Sequence, residues 1–552
     1  MKQVMGWLLV VGCLVGALAP RAVYAGNAVV GNGSPASCTE AAFDAALATA
    51  SNGGGTITFN CGPSTVTIPF TVAKTVVLGN VTINGGGRIV LEAGNNERHF
   101  FAGSGVTFRL QNITLRAGNA LVSGGALETS GATVILDNVQ LLNNASAVSG
   151  GAIYCYDGTL TINNSLLQGN SSAERGGAIY NDGCTVTIAT STLRSNRTLN
   201  NISQGGAIFN QMNGRLAVNQ TLLQDNQSPD GGGLYVASDS TAALNGVTLL
   251  ANRGGYGGGL ENSGVVTITQ SLLDGNIVTG SGGGLWNLGG SVVLKQTTVR
   301  NNRAYEGGGI NSYGNAVEMT DVNIIDNVAT GSHGGGIYHG GGTLFVANAT
   351  ISGNRANDVA GNGGGVYQNS DDNLVLTNVT LANNWAGGFG GGLYHYARYA
   401  ILTNVTITDN NAGLAGNAIY EDAPMTPGSP GVIQITGSVL AGSANNCDGP
   451  PFQSIGYNIS RGTCSSLDHP TDRENYSGNL LLGPLAFNGG AFAMNTRLPQ
   501  AGSPLINAGN AALCTPLDQR GAPRVGVCDI GAVEHGVSLQ RNVYLPLLQR
   551  TR

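Results

Sequence analysis

Three corresponding loops carry the side chains with the most evident chemical potential: His339, the pair Asp371-Asp372, and His395 with Arg398. They are set about one repeat unit apart, so stacking of the units brings them near one another. Paired carboxylates, imidazole and guanidinium together suit acid–base hydrolysis of an acidic polysaccharide. A plainer reading makes NSDDN (369–373) a solvated turn, with His339 and His395 standing where other units carry Asn181, Asn210 and Asn287. Replacing Asp371 or Asp372 by Asn separates the two readings, because only the first predicts loss of a depolymerising activity. Asp225, Asp326 and Asp409 also share a position, but three or four units separate them, about 14–19 Å along a stack. Glycoside hydrolysis needs two carboxyls only about 5–9.5 Å apart. No acidic cluster with a basic partner lies on one strand face, and no CxxC or His/Cys ligand spacing is present. Neither a metal nor a cofactor is therefore expected.

A second candidate is aromatic. Tyr338, Tyr367, Tyr394 and Tyr420 follow a Gly-Gly-Gly or Gly-Asn-Ala stretch and an aliphatic residue at the same position of successive units. Alternation turns the aliphatic residue inward and the ring outward, forming a stripe beside glycine-lined backbone. Flat rings beside small residues suit a sugar ring or a protein partner. Stacked rings also stabilise a repeat without any ligand.

These positions recur because the whole chain does. GGAIYCYDGTLTINNSLLQGN (150–170) is followed by GGAIYNDGCTVTIATSTLRSN (176–196), and the pattern persists to about residue 420. Counted at the residue after each Gly-Gly, from Ala126 to Ala418, twelve markers are spaced 25 to 29 residues apart. The next residue is always aliphatic, and the one after it is aromatic in nine units, with Glu128, Glu261 and Asn311 as exceptions. Short period-two runs follow, then an Asn, as at Asn170, Asn196 and Asn302. A second amide column sits at an internal bend, as at Asn164, Gln270 and Asn378.

Three short strands per unit of about 26 residues, with no helical periodicity, predict an all-β, right-handed parallel β-helix of about twelve or more coils. Each coil exposes an apolar face until its neighbours cover it. Gly-Gly gives one corner its backbone freedom, and the closing Asn is expected to take the left-handed conformation and bond to the Asn above and below.

The ends differ. TEAAFDAALATA (39–50), preceded by Cys38 and capped by Thr39, reads as a helix covering the first coil. The chain divides into a signal peptide (1–25), an N-terminal cap with first coils (26–105), repeats (106–443), a C-terminal module (444–535) and a tail (536–552). Met1-Lys2, apolar Trp7–Leu18 and Val23-Tyr24-Ala25 before Gly26 have the form of a secretory leader. Processing at Cys13 instead would leave apolar LVGALAP at the new terminus. Eight other cysteines remain, an even number that suggests disulfides in an exported chain. Sequence locality pairs them Cys38–Cys61, Cys155–Cys184, Cys447–Cys464 and Cys514–Cys528. A net charge of −6, with 10% charged residues, argues against nucleic acid as a partner. No spanning segment is read in the mature chain, and a monomer is expected.

The alternation of GGAI-type tetrads with an aliphatic-x-x-Asn tetrad resembles the repeat of the chlamydial polymorphic outer membrane proteins over about 120–415. That family usually starts its second tetrad with Phe, where this chain has Leu, Ile or Val, as in Leu193-Arg-Ser-Asn196. The resemblance implies a surface-exposed adhesive β-helix, although no terminal β-barrel pattern is readable. SPLINAGN (503–510), CTPLDQRGAPR (514–524) and CDIGAVE (528–534) resemble the choice-of-anchor module of secreted bacterial repeat proteins. The resulting expectation is an exported, surface or envelope protein that binds a cell-surface glycan or protein. The alternative is a secreted polysaccharide lyase or glycoside hydrolase, since pectate lyases and polygalacturonases share the fold class. Fold alone does not choose between them.

Overall fold

The computed structural model describes residues 26–94, 97–422 and 432–539. Residues 1–25, read above as a leader, and most of the tail lie outside them. The chain winds into a parallel β-solenoid of about 16 turns with about 3% helix. Each central coil carries three main ladders and a fourth of only two residues. One coil shows the logic: Ile179–Asp182, Thr185–Ala189, Thr192–Arg194 and Arg197–Thr198 are its strands. The first three pair in parallel with Ile208–Gln211, Arg215–Asn219 and Leu222–Gln224 in the next coil. Aliphatic residues of all three main ladders fill one continuous core, among them Ile179, Val186, Ile188 and Leu193, all fully buried.

The Gly-Gly corner has two separate causes. The first glycine is left-handed, as in Gly176 (φ 62°), where a side chain is strained. The second admits no side chain at all: a Cβ on Gly177 would lie 2.1 Å from the Gly206 carbonyl oxygen of the next coil. The closing asparagines form a buried ladder, but they do not take the left-handed conformation expected of them. That conformation falls one residue earlier, at Asn143, Ser195, Asp225, Ala251 and Asn301, and at the bend column of Asn164, Gln270 and Asn378. The reason is that the closing Asn must turn its amide into the coil, where it also bonds to backbone. Asn302 donates to the Leu273 carbonyl (3.0 Å) and to Asn327 Oδ1 (3.0 Å), and Asn276 donates to Asn302 Oδ1 (2.9 Å).

At the N-terminal end, helix α1 (Glu40–Ser51) is capped by Thr39, whose hydroxyl accepts from Ala42 N (3.2 Å). It buries Phe43, Ala46, Leu47 and Ala50 against the first coils, with Phe43 against Phe70 and Phe100. Lys74, almost wholly buried, holds Glu40 and Asp44 of α1 at 2.7 and 2.8 Å. Disulfides join Cys38 to Cys61, Cys155 to Cys184, Cys447 to Cys464 and Cys514 to Cys528.

Parallel pairing continues beyond residue 444, through Cys447–Asp448, Gln453–Gly456 and Ile459–Thr463. The solenoid thus reaches some twenty residues beyond the repeats read as ending at 443. The chain then turns back along the side of the rod. Thr350 Oγ1 donates to the Asn495 carbonyl (2.6 Å), Thr380 Oγ1 to Gln519 Oε1 (2.6 Å), and Ala532 N to Thr406 Oγ1 (2.9 Å). Within this segment Asp518 is the organising group. It accepts from the Arg520 guanidinium (2.7 and 2.9 Å) and from the backbone N–H groups of Arg520, Ala522 and Glu534. The charged residues of CTPLDQRGAPR and CDIGAVE therefore pair with one another and fasten the segment to the rod.

Candidate functional site: the aromatic belt, the buried histidines and a lateral cleft

The parallel register that aligns the coils also stacks the aromatic column. Tyr338 and Tyr367 lie 5.0 Å apart between ring centres, Tyr367 and Tyr394 4.8 Å, and Tyr394 and Tyr420 5.5 Å. The rings point away from the aliphatic core, as alternation requires, yet they do not form an open stripe. Tyr338, Tyr367 and Tyr394 are only 6%, 7% and 6% exposed. Side chains at the corner before Gly-Gly fold over the belt: His333 stacks on Tyr367 at 4.4 Å, and Phe389 packs on Tyr420 at 4.4 Å. Tyr420, near the end of the run, keeps an intermediate exposure. Burial raises the phenol pKa of Tyr367 and Tyr394, and for Tyr394 the hydrogen bond to the Asp422 carboxylate adds to it. Neither phenol is set up to serve as a base or nucleophile near neutral pH.

His339 and His395 are both 0% exposed and face the interior of the coil. They stand in register with Ser312, Gln368 and Glu421, in the column that Asn287 occupies one coil earlier. Asn287 closes the following turn by donating to the Gly290 carbonyl (2.9 Å). His339 does the same through Nε2 to the Gly342 carbonyl at 2.7 Å, which assigns the proton to Nε2, since a carbonyl only accepts. Burial lowers the His339 pKa and keeps the ring neutral. His395 Nδ1 lies 2.8 Å from Glu421 Oε2, and burial raises the Glu421 pKa against the opposing pull of His395.

Asp372 lies outside the coil, exposed, and accepts from Gly342 N at 2.8 Å. It thus supports, from the solvent side, the turn that His339 closes from within. The side chains of Asp371 and Arg398 lie outside the described residues. His339, His395 and Asp372 are not brought to one solvent-facing surface. Asp225, Asp326 and Asp409 project from left-handed turn positions on the outer edge, each exposed. Among the described residues, no three His, Cys, Asp or Glu side chains are grouped to hold a metal ion.

Two features escape the sequence pattern: the burial of Glu261 and a lateral cleft. Glu261 takes an aromatic position, paired in register with Tyr235 and Trp286, and is 2% exposed. Burial and the neighbouring Asp230 carboxylate push its pKa up to about 9. The second is a cleft of about 350 Å³ between the rod and the returning C-terminal segment. Asn323, Asp326, Thr350, Ser352, Asn383 and Asn495 supply its polar lining, with Ile325, Leu485 and Ala493 among them. Asp326 is its one carboxylate, and burial raises the Asp326 pKa while the Arg300 charge opposes that shift. Segments some 170 residues apart meet here, so local periodicity holds no sign of it.

The Chlamydia polymorphic membrane protein repeat matches at 138–156 and 164–182, each match pairing a closing-Asn or bend segment with a GGAIY segment or its strand. No curated protein matches the chain. Among solved structures, a surface adhesin of Streptococcus pneumoniae, PfbA, is 12% identical with a TM-score of 0.31, over 68% of this chain and 91% of that one. A PL6 family polysaccharide lyase from Pseudopedobacter saltans is 12% identical with a TM-score of 0.25, over 82% of this chain and 97% of that one. The chain is a parallel β-helix repeat protein whose repeats resemble those of the chlamydial polymorphic membrane proteins.

Proposed function

We propose that the chain is exported and displayed at the cell surface or envelope, where it binds a glycan or protein partner without converting it. The leader pattern and four disulfides support export. The observation that carries the binding reading is the lateral cleft: amides, hydroxyls and one carboxylate line it, with a few aliphatic groups among them. That mixture suits the hydroxyls and C–H faces of a sugar. A single carboxylate there lacks the second acid that glycoside hydrolysis uses, and the histidines near the Asp371-Asp372 loop are turned inward.

Asn495→Trp tests the site, because the exposed Asn495 lines the cleft while its backbone carbonyl, not its side chain, holds Thr350. The variant is expected to keep its fold and lose most retention on a glycan array that the parent binds. Unchanged retention would remove the cleft from the account. New reducing ends or unsaturated products from any polysaccharide incubated with the parent would instead support the lyase or hydrolase reading.

A further inference from the structure

One face of the rod repeats a charge rather than a ring. The outward residue of the short fourth strand, just after each closing Asn, reads Arg197, Gln227, Arg253, Ile277, Arg303, Val328, Arg355, Trp385 through consecutive rungs. Arginine thus returns at every second rung, about 9.6 Å apart, over about 29 Å of the rod. All four arginines are exposed.

Other arginines on the walls are paired across rungs, such as Arg300 with Asp274 (2.8 Å) and Arg116 with Glu92 (3.1 Å). Among the described residues, no carboxylate lies within 4 Å of Arg197, Arg253, Arg303 or Arg355. The Arg355 guanidinium lies over the Trp385 ring, 5.2 Å from its centre, which orients the group without neutralising its charge. In a chain with a net charge of −6, a row of four unpaired cations is not explained by internal neutralisation. Covering Ile277 and Val328 needs only an aliphatic stem, not a guanidinium.

We propose that this row binds a linear anionic polysaccharide laid along the rod, one carrying an acidic group on alternate sugar units. The proposal rests on the binding role argued above and names its ligand class. A guanidinium fork matches a carboxylate or sulfate in geometry and charge. Of the intervening residues, Ile277 and Val328 offer apolar contact to the uncharged unit and Gln227 an amide. Asp225 and Asp326, two residues before Gln227 and Val328, stand in rungs that lack an arginine in this row and repel an anionic unit there, which fixes the register. Double-stranded DNA, with a charge about every 1.7 Å, is far too dense for this row.

The test uses the full chain, with hyaluronan as the probe because its carboxylate falls on alternate sugars, and dextran and duplex DNA as comparisons. Two variants are measured: Arg197→Gln/Arg253→Gln/Arg303→Gln/Arg355→Gln, and the charge-neutral exchange Gln227→Arg/Arg253→Gln, which breaks only the spacing. Hyaluronan is expected to bind in a salt-sensitive manner, the quadruple variant to lose about tenfold or more in affinity, and the exchange variant several-fold, with melting temperatures unchanged. Equal affinity of the parent and the quadruple variant for hyaluronan overturns the proposal, as does tighter binding of DNA that the exchange leaves intact. Parental binding to neutral glycans but not to hyaluronan overturns this ligand class and leaves the binding role standing. Absence of binding to any glycan or cell surface overturns both.

Discussion

Replacing Asn276 by Ala should cost far more than any change at the outer bend, because the closing asparagines hold the coils together from within. Asn276 is fully buried. Its amide donates to the Leu249 carbonyl (3.0 Å) and to Asn302 Oδ1 (2.9 Å), and its oxygen accepts from Asn252 N (3.0 Å) and Asn252 Nδ2 (3.0 Å). Truncation removes all four bonds, to two neighbouring coils, and leaves Asn252 N without its partner in a dry interior, whereas Asn252 Nδ2 keeps the Leu223 carbonyl and Asn302 Oδ1 keeps Asn276 N. At about 1 kcal/mol for each hydrogen bond lost and about 1–3 kcal/mol for the buried donor left unsatisfied, the loss is about 5 kcal/mol. Asn164→Ala is the control. Its position is exposed, φ is 49°, and Thr190 Oγ1 donates to its oxygen at 2.7 Å, so a loss of about 1 kcal/mol is expected. Urea unfolding reads the difference. Hydrogen exchange shows where it acts, since solenoid coils couple mainly to their neighbours. A loss below about 1 kcal/mol for Asn276→Ala, or one no larger than for Asn164→Ala, would refute the reasoning.

Gly177→Ala should disrupt packing between coils, with a loss of several kcal/mol read by thermal melting, because its Cβ would meet the Gly206 carbonyl at 2.1 Å. Tyr367→Ala should cost about 3–5 kcal/mol, since the ring lies between Tyr338 and Tyr394 and beneath His333; a neutral effect would mean the belt does not stabilise the rod. Glu261 keeps its proton in the folded chain up to about pH 9, while the unfolded chain ionises near 4.5. Between these values the folded state binds more protons, so stability falls as pH rises, by at most about 1.4 kcal/mol per pH unit. Glu261→Gln should therefore raise the melting temperature at pH 8 and have little effect below pH 4.5; a gain independent of pH would contradict this. His99, fully buried, has its pKa lowered to about 4 by burial. The unfolded chain takes up that proton first as pH falls below about 6.5, so stability declines from there towards pH 4, and His99→Gln should flatten that limb of a pH–melting profile.

The repeat was legible because each of its columns answers a different steric or hydrogen-bonding demand. Gly176 and Gly177, Ile179, Tyr180 and Asn196 each mark a distinct place in the coil. The substitution of His339 and His395 into an Asn column was also visible, and the interior bond from His339 to Gly342 shows why an imidazole serves there. What alternation does not tell is what covers an outward side chain. Tyr367 is hidden by His333, a corner residue whose type varies from unit to unit: Arg175, Tyr256, His333 and Phe389 each pack on an aromatic ring of the next coil. Nor does it tell which residue of a turn is left-handed, and so the closing Asn and its predecessor exchanged roles. The last coils, through Ile459–Thr463, lack the Gly-Gly and Asn marks, and the lateral cleft depends on contacts such as Thr350 with Asn495. Such distant meetings leave no trace in a local pattern.

The arginine row and the cleft lie on the solvent side of a wall whose interior is fully committed to packing and amide ladders. Variation on that outer surface is therefore compatible with an unchanged fold. A ligand contact on that surface could change without rebuilding the core, whereas glycoside hydrolysis would require acids convergent on one site.

The most direct measurement incubates the chain from Gly26 with uronate-containing and neutral polysaccharides, with and without calcium, and follows both retention and product release. Retention on at least one polymer is expected, with no new reducing ends or unsaturated products. Release of such products, in either calcium condition, would contradict a binding role without conversion.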